Sequence, residues 1–426
     1  MKKKVIVRAP ALTRTGYGEH ARFVLRCLRE VEDKLDIYLL PVSWGQSNWI
    51  WEENEERAWM DKIVAKTAAY QQQEIAGNHY DISIQITIPN EWEQLAPVNI
   101  GVTAGIETTK VAPLWIEKVN MMDKVITISE HSKNSFIKTV YEGVNKHTKQ
   151  PMRLQCNKDI EVVHYPVKHF DKVDLDLNLS TDFNFLTVAQ FGERKNLYNT
   201  LRWFVEEFID NPDVGLVVKT FAKGGSKIDR FIIKKKLTDI LQKYDKRQCK
   251  VYLLHGDFTD QEMHSLYKHK KIKSLISLSH GEGFGLPLFE AAYSGLPVIA
   301  PDWSGHVDFL YKPTKNKKGK EKLKAHFARV EYDILPVQEK AHWEGVVQPD
   351  SMWCFAQQGS YKMRLREVLK EHGRFKKQAN NLKKYLLENF TFEKQSKKMI
   401  DNIISQDEFE VADWLTELEN EIQVHS

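Results

Sequence analysis

The chain has 426 residues, 42% of them apolar and 28% charged, values near the soluble globular average that leave room for two domains with sizeable cores. Sixty-two basic against 58 acidic residues give a formal charge of +4, a near balance that does not by itself call for a polyanionic partner. Cys27, Cys156, Cys249 and Cys354 lie far apart with no CxxC pair, which reads as reduced thiols in a cytoplasmic compartment, and no run approaches the length of a membrane span.

MKKKVIVRAP has the charge of a signal peptide but an apolar run of only Val5 to Val7, so Lys4 to Arg8 is expected as a first strand. Thr13 to Gly18 reads as a loop entering the helix Glu19 to Val31, with Gly16 and Gly18 forming a glycine turn at a helix N-terminus. An ordinary strand-to-helix turn is the alternative. His20 either reaches into a cleft or sits on the first helical turn. After the strand Asp36 to Leu40, Trp44, Trp49 and Trp51 occupy a polar stretch. They either stack on a sugar or base or pack a loop onto its own domain. An amphipathic helix over 52–76 precedes the alternating strand Asp81 to Ile88, which Pro89 ends. The strand Val98 to Thr103 runs into Ala104 to Thr108, at a carboxyl end where open α/β sheets bind ligands. Glu107 is the ionisable candidate there, or else a helix-capping carboxylate. A helix over Trp115 to Met122, a strand over Lys124 to Ser129 and a last strand over Glu161 to Pro166 complete a first domain, residues 1–170. The acidic tract from Val167 to Asp182, with 171–182 at its heart, is the expected linker.

The second domain, 183–389, opens with the strand Phe183 to Gln190 and the turn Gly192-Glu193-Arg194-Lys195-Asn196 before a helix over Tyr198 to Ile209. Arg194 and Lys195 are placed to neutralise a diphosphate. Val214 to Phe221 is a strand carrying Lys219, and the basic helix Ile228 to Tyr244 reads as a solvated face. Then come the strand Val251 to His255, Gly256-Asp257-Phe258, the helix Asp260 to His269 and the strand Ser274 to Ser279. Such alternation implies a parallel sheet.

The most informative stretch is SHGEGFGLPLFEAAYSGLPVIAPDWSGHVDFL, Ser279 to Leu310. Gly281, Gly283 and Gly285 form a turn, Leu286-Pro287 starts a helix that Gly295 stops, and Leu296 to Ala300 is a short buried strand. A glycine turn feeding a helix N-terminus makes an anion site, and Glu282 and Glu290 frame it. Phosphate at the N–H groups with sugar hydroxyls at the carboxylates asks for a nucleotide-diphosphate sugar.

Glu282-Gly-Phe-Gly-Leu-Pro-Leu-Phe-Glu290 resembles the Glu-x7-Glu signature of retaining GT4-type glycosyltransferases, and Arg194-Lys195-Asn196 resembles a variant of their cation pair. The resemblance implies the GT-B fold, α/β with two Rossmann-like domains facing each other across a cleft. It implies that Glu290 holds the donor ribose, Glu282 faces the transferred sugar, and the N–H groups of Phe284, Gly285 and Leu286 meet sugar and diphosphate, with Gly283 among the donor-binding residues. Gly256 is implied beside the base, Gly16 and Gly18 near the donor phosphates, and Glu107 in a region where relatives carry His or Asp. No bound metal or cofactor is implied beyond the UDP- or GDP-sugar donor.

Beyond Leu310 the stretch Tyr311 to Phe327 is dense in lysine, read as an exposed loop or a polyanion-binding arm over 313–324, and Val330 to Ser351 reads as irregular. A long amphipathic helical region is expected over Met363 to Leu387. Phe390 to Ile404 resembles the terminal helix that crosses back to the first domain in GT-B proteins, with the tail 406–426 packing there too. The texture of VTAGIETT and WEGVVQPDSMW is similar to glycosyltransferases of large tailed phages. That makes the acceptor either a glycan or 5-hydroxymethylated cytosine in DNA, with Trp44, Trp49 and His20 as acceptor candidates. The alternative is a non-catalytic sugar-nucleotide or nucleic-acid binding protein.

Overall fold

A computed structural model describes residues 2–45, 47–50, 52–72, 79–144, 149–315 and 319–404. They divide into two compact units: unit 1 holds the described residues up to Gly105, Val111–Tyr165 and those from Phe392 to 404, and unit 2 holds those of Ile106–Lys110 and Pro166–Thr391.

Unit 1 contains β1 (Lys3–Ala9), β2 (Leu35–Pro41), β3 (Ile82–Ile86), β4 (Val98–Thr103), β5 (Lys124–Thr127), β6 (Val140–Val144), β7 (Pro151–Gln155) and β8 (Ile160–Val162). Its helices are α1 (Gly16–Arg29), α2 (Glu55–Gln72), α3 (Pro113–Met121) and α4 (Glu130–Lys138). Six strands form a parallel sheet in the order β2-β1-β3-β4-β5-β8. The Ile-Ser-Ile-Gln-Ile alternation of β3 is that of a half-exposed strand, yet its central place buries both faces. Hydrogen bonds replace water for the polar members. Ser83 Oγ donates to Asn99 Oδ1 at 2.7 Å, and Gln85 exchanges bonds of 2.5 and 2.9 Å with the backbone of Glu93.

α1 begins at Gly16, earlier than expected, because Thr15 caps it: its Oγ1 accepts the Gly18 N–H at 3.0 Å. Gly16 and Gly18 therefore form the first helical turn rather than a preceding loop. A Cβ on Gly18 would sit 2.1 Å from the Thr13 carbonyl oxygen, so the close approach of loop and helix requires glycine. The β6–β7 hairpin, which no buried alternation announces, was not anticipated. Trp51 and residues 73–76 of the expected helix lie outside the described residues.

Unit 2 contains β9 (Phe183–Gln190), β10 (Val214–Phe221), β11 (Lys250–Leu254), β12 (Ile272–Ile276), β13 (Val298–Pro301), β14 (Tyr311–Lys315), β15 (Glu321–Ala325), β16 (Ala328–Val330), β17 (Tyr332–Pro336) and β18 (Met352–Ala356). Its helices are α5 (Leu197–Glu207), α6 (Lys227–Leu241), α7 (Asp260–Tyr267), α8 (Leu286–Ser294), α9 (Val307–Leu310), α10 (Gln358–Lys370) and α11 (His372–Asn389). The parallel sheet runs β11-β10-β9-β12-β13-β16, a doubly wound order whose direction reverses between β9 and β12. Its core includes Phe185, Leu201, Phe204, Leu216, Val218 and Ile276.

Three expectations change here. The lysine-dense stretch pairs as the antiparallel hairpin β14–β15, with 316–318 outside the described residues. The segment expected as irregular contributes β17, which pairs with β18. The single long helix is two, α10 and α11, because Glu371 leaves helical geometry at φ −115, ψ 34. After α11 the chain returns to unit 1 as α12 (Phe392–Ile403), which packs on α1 through Phe392 and Phe23, ring centroids 6.5 Å apart. The tail 406–426 lies outside the described residues. Among the described residues no helix is long and apolar enough to cross a membrane.

Candidate active site

In a doubly wound sheet, ligands bind beyond the carboxyl ends of the strands where the winding reverses, because the connections there leave in opposite directions and open a crevice. In unit 2 those strands are β9 and β12. The first leads into a 3-10 turn over Glu193–Lys195, the second into the glycine turn before α8. Asn196 closes the 3-10 turn in the left-handed conformation at φ 51, which explains Asn as third member of Arg-Lys-Asn, since Asn tolerates that conformation better than most residues. The two loops are tied by hydrogen bonds: His280 N–H donates to Arg194 O at 2.8 Å, and the Arg194 side chain donates through Nη1 to Gly281 O at 2.8 Å.

The carboxylate of Glu282, only 5% exposed, receives Lys195 Nζ at 2.6 and 2.8 Å and Arg194 Nη1 at 3.2 Å. Arg194 also pairs with Glu107 at 3.2 Å. All four belong to unit 2, because the chain loop 106–110 is part of it. The carbonyl of Glu107 lies where a Cβ on Gly281 would stand, 2.2 Å away, so only glycine admits this approach. Burial alone would raise the Glu282 pKa, but Lys195 and Arg194 outweigh it and hold the carboxyl at about 2. Burial and the neighbouring Arg194 lower the Lys195 pKa, whereas for Arg194 the pull of Glu107 and Glu282 overcomes burial and raises it. Two cations and two carboxylates thus form a nearly neutral, partly buried cluster whose pairing an incoming anion can repartition.

Gly285 is the N-cap of α8 at φ 94, ψ 58, a conformation open to glycine. Among the described residues the N–H groups of Gly285 and Leu286 make no hydrogen bond, so the positive helix end keeps two open donors. Phe284 turns inward against Phe289 and Phe309, anchoring the turn. Replacing Gly285 by Ala is expected to cost about 1 kcal/mol through left-handed strain, read as a lower thermal midpoint. Glu290, five residues into the helix, accepts the Tyr267 hydroxyl at 2.9 Å. That tyrosine's pKa lies well above 10 because it is buried and faces a carboxylate.

Several contributors went unassigned in the sequence. Ser304, at φ 81, accepts the Glu282 N–H on its hydroxyl at 3.0 Å, and Gly305 N–H donates to Glu282 O at 2.9 Å. His306 is buried beside them, its ring on Pro301 O at 2.7 Å and its pKa lowered by burial. Lys219, buried at the end of β10, donates to Gly256 O at 2.5 Å and lies 4.7 Å from the Phe258 ring centroid. The one signal for it is a lysine in a strand that is apolar apart from the neighbouring Thr220.

Gly16, Gly18, His20, Trp44 and Trp49 belong to unit 1. The Gly18 N–H is already used by Thr15 and is not open to a phosphate. His20 lies in the second turn of α1, fully buried edge-on against Tyr165, with burial lowering its pKa to about 4; it offers no surface to an acceptor. Trp44 packs on Tyr17 with ring centroids 4.3 Å apart, while Trp49 is 51% exposed. Among the described residues no three His, Cys, Asp or Glu side chains are grouped to hold a metal ion.

With this geometry in hand, comparison with known proteins is direct. Residues 176–318 match the family Glycosyl transferases group 1, a span that includes the loops of Arg194, Lys195 and Glu282 but not that of Glu107. A curated relative, the serotype-specific mannosyltransferase WbdA of Escherichia coli, is 33% identical over 119 residues, 28% of this chain. The matched stretch spans 13% of that relative's length. Among solved structures, sucrose-phosphate synthase of Thermosynechococcus elongatus superposes with a TM-score of 0.60 at 11% identity, covering 100% of both chains. A glycosyltransferase of Rickettsia africae gives 0.58 at 12% identity over 95% of this chain and 99% of its own. The fold is GT-B. In GT-B terms unit 2 carries the family match, the glycine turn and the charged cluster.

Proposed function

We propose that this GT-B protein is a retaining glycosyltransferase that moves a sugar from a nucleotide diphosphate, a UDP- or GDP-sugar, to a hydroxyl acceptor. The observation that carries this reading is the cluster in which Glu282 is clasped by Lys195 and Arg194 beside the bare N–H groups of Gly285 and Leu286. On donor binding the diphosphate takes over Arg194, Lys195 and those N–H groups, and the released Glu282 accepts from hydroxyls of the transferred sugar. Negative charge that develops on the leaving phosphate oxygen is met by groups already in place, the electrostatic contribution that usually dominates such catalysis. The acceptor proton passes to that same oxygen on the face where the sugar departs, which preserves the anomeric configuration. Glu290, oriented by Tyr267, accepts from the ribose hydroxyls. The acceptor in this reading is a hydroxyl of a glycan or of 5-hydroxymethylated cytosine in DNA, and the curated relative's name, a mannosyltransferase, speaks to the sugar moved and not to the acceptor.

The test is a thermal-shift screen of UDP- and GDP-sugars on wild type and Glu290→Gln, followed by transfer assays on glycans and on hydroxymethylated duplex DNA. At saturating donor the wild-type midpoint should rise, and Glu290→Gln should need about tenfold more donor for the same shift, the loss of one charged hydrogen bond to ribose. Stabilisation without transfer to any acceptor, and without donor hydrolysis, would instead mark a binding protein.

A further inference from the structure

α6 carries two distinct apolar faces. Asp229, Ile233, Leu237 and Ile240 are buried against unit 2. On the opposite side Ile228, Phe231 and Ile232 stand 74%, 69% and 41% exposed, at the i, i+3, i+4 spacing that places side chains on one helical face. Lys227, Arg230, Lys234, Lys235 and Lys236 surround that stripe, all exposed. None of the five makes an ion pair among the described residues. The helix's first acid, Asp229, is turned inward, bound to His255 at 2.8 Å and to the N–H groups of Ala222 and Lys223. A solvated helix has no use for an exposed Ile-Phe-Ile stripe, and a core helix has none for five unneutralised cations. Together they describe a helix that lies in an interface, apolar side down and cations toward anionic headgroups.

We infer that α6 docks unit 2 on an anionic phospholipid surface, with Ile228, Phe231 and Ile232 inserted among the acyl chains and the surrounding lysines and Arg230 on lipid phosphates. A second copy of the chain is the less suitable occupant, since a two-fold contact would set the same five cations against themselves. Nucleic acid would use the cations and leave the apolar stripe in water. The inference is independent of glycosyl transfer, because it uses no residue of the charged cluster.

The experiment is flotation of the full chain with vesicles of phosphatidylcholine alone or with about one-third phosphatidylglycerol. Wild type should float with the anionic vesicles and be released as salt rises, and should leave the neutral ones unbound. Ile228→Ser/Phe231→Ser and, separately, Lys234→Glu/Lys235→Glu should each weaken anionic-vesicle partition about tenfold or more. Both pairs are exposed, so thermal midpoints should match wild type. Equal partition of wild type and the variants, or no wild-type flotation at low salt, overturns the proposal. So does a dimer or a duplex-DNA complex that the variants abolish while vesicles stay unbound.

Discussion

Lys195→Met should lower glycosyl transfer by about 10²- to 10³-fold, the loss that follows removal of one preorganised charge from a site of developing negative charge. Its Nζ already sits 2.6 Å from Glu282 Oε1, held by a turn only three residues long, so no reorganisation is needed when a diphosphate replaces that carboxylate. The loss should fall on kcat more than on KM, because the charge on the departing oxygen grows only as the bond breaks. Arg194 shares its guanidinium between Glu107 and Glu282 and cannot fully substitute. Initial rates with the donor found by the thermal-shift screen decide the matter: a kcat within a factor of about three of wild type would show that Lys195 does not meet the leaving group.

Glu282→Gln should destabilise the protein by about 3 kcal/mol at neutral pH, because it leaves the half-buried Lys195 ammonium without its partner. The pH dependence follows from the same contacts. The Glu282 carboxyl is depressed from 4.5 to about 2, which corresponds to about 3 kcal/mol of stability by proton linkage. A depressed carboxyl contributes fully above its unfolded pKa and loses that contribution as pH falls through the folded one, so the window runs from about 4.5 down to about 2. Urea unfolding followed across that window should show wild type losing stability more steeply than Glu282→Gln. Parallel curves would mean that the carboxylate is not held by the cations in solution.

Much of the site was legible because its chemistry is local. Gly285 at φ 94 and Gly295 at φ 77 mark the two ends of α8, and each is the residue that the left-handed backbone favours. Asn196 plays the same part in the turn that presents Arg194 and Lys195. Tyr267, Lys219 and Ser304 were not legible in their roles. Each acts on a group reached only after strands have paired, and nothing in its immediate neighbours announces the partner. His20 shows the converse: the sequence leaves open whether it enters a cleft or sits on the first helical turn, and the fold buries it fully in the second turn of α1.

The sequence alone determined the alternation of strands and helices, the parallel sheets they imply, and the glycine turn with its two glutamates, because periodicity and turn conformation are properties of neighbouring residues. Tertiary structure alone decided that Glu107, from the loop after β4, meets Arg194, that Glu282 rather than solvent neutralises Lys195, and that α6 keeps an apolar face outside the core. Those outcomes depend on which distant segments share a low-dielectric space, and a buried charge takes its partner from whatever the fold brings within reach.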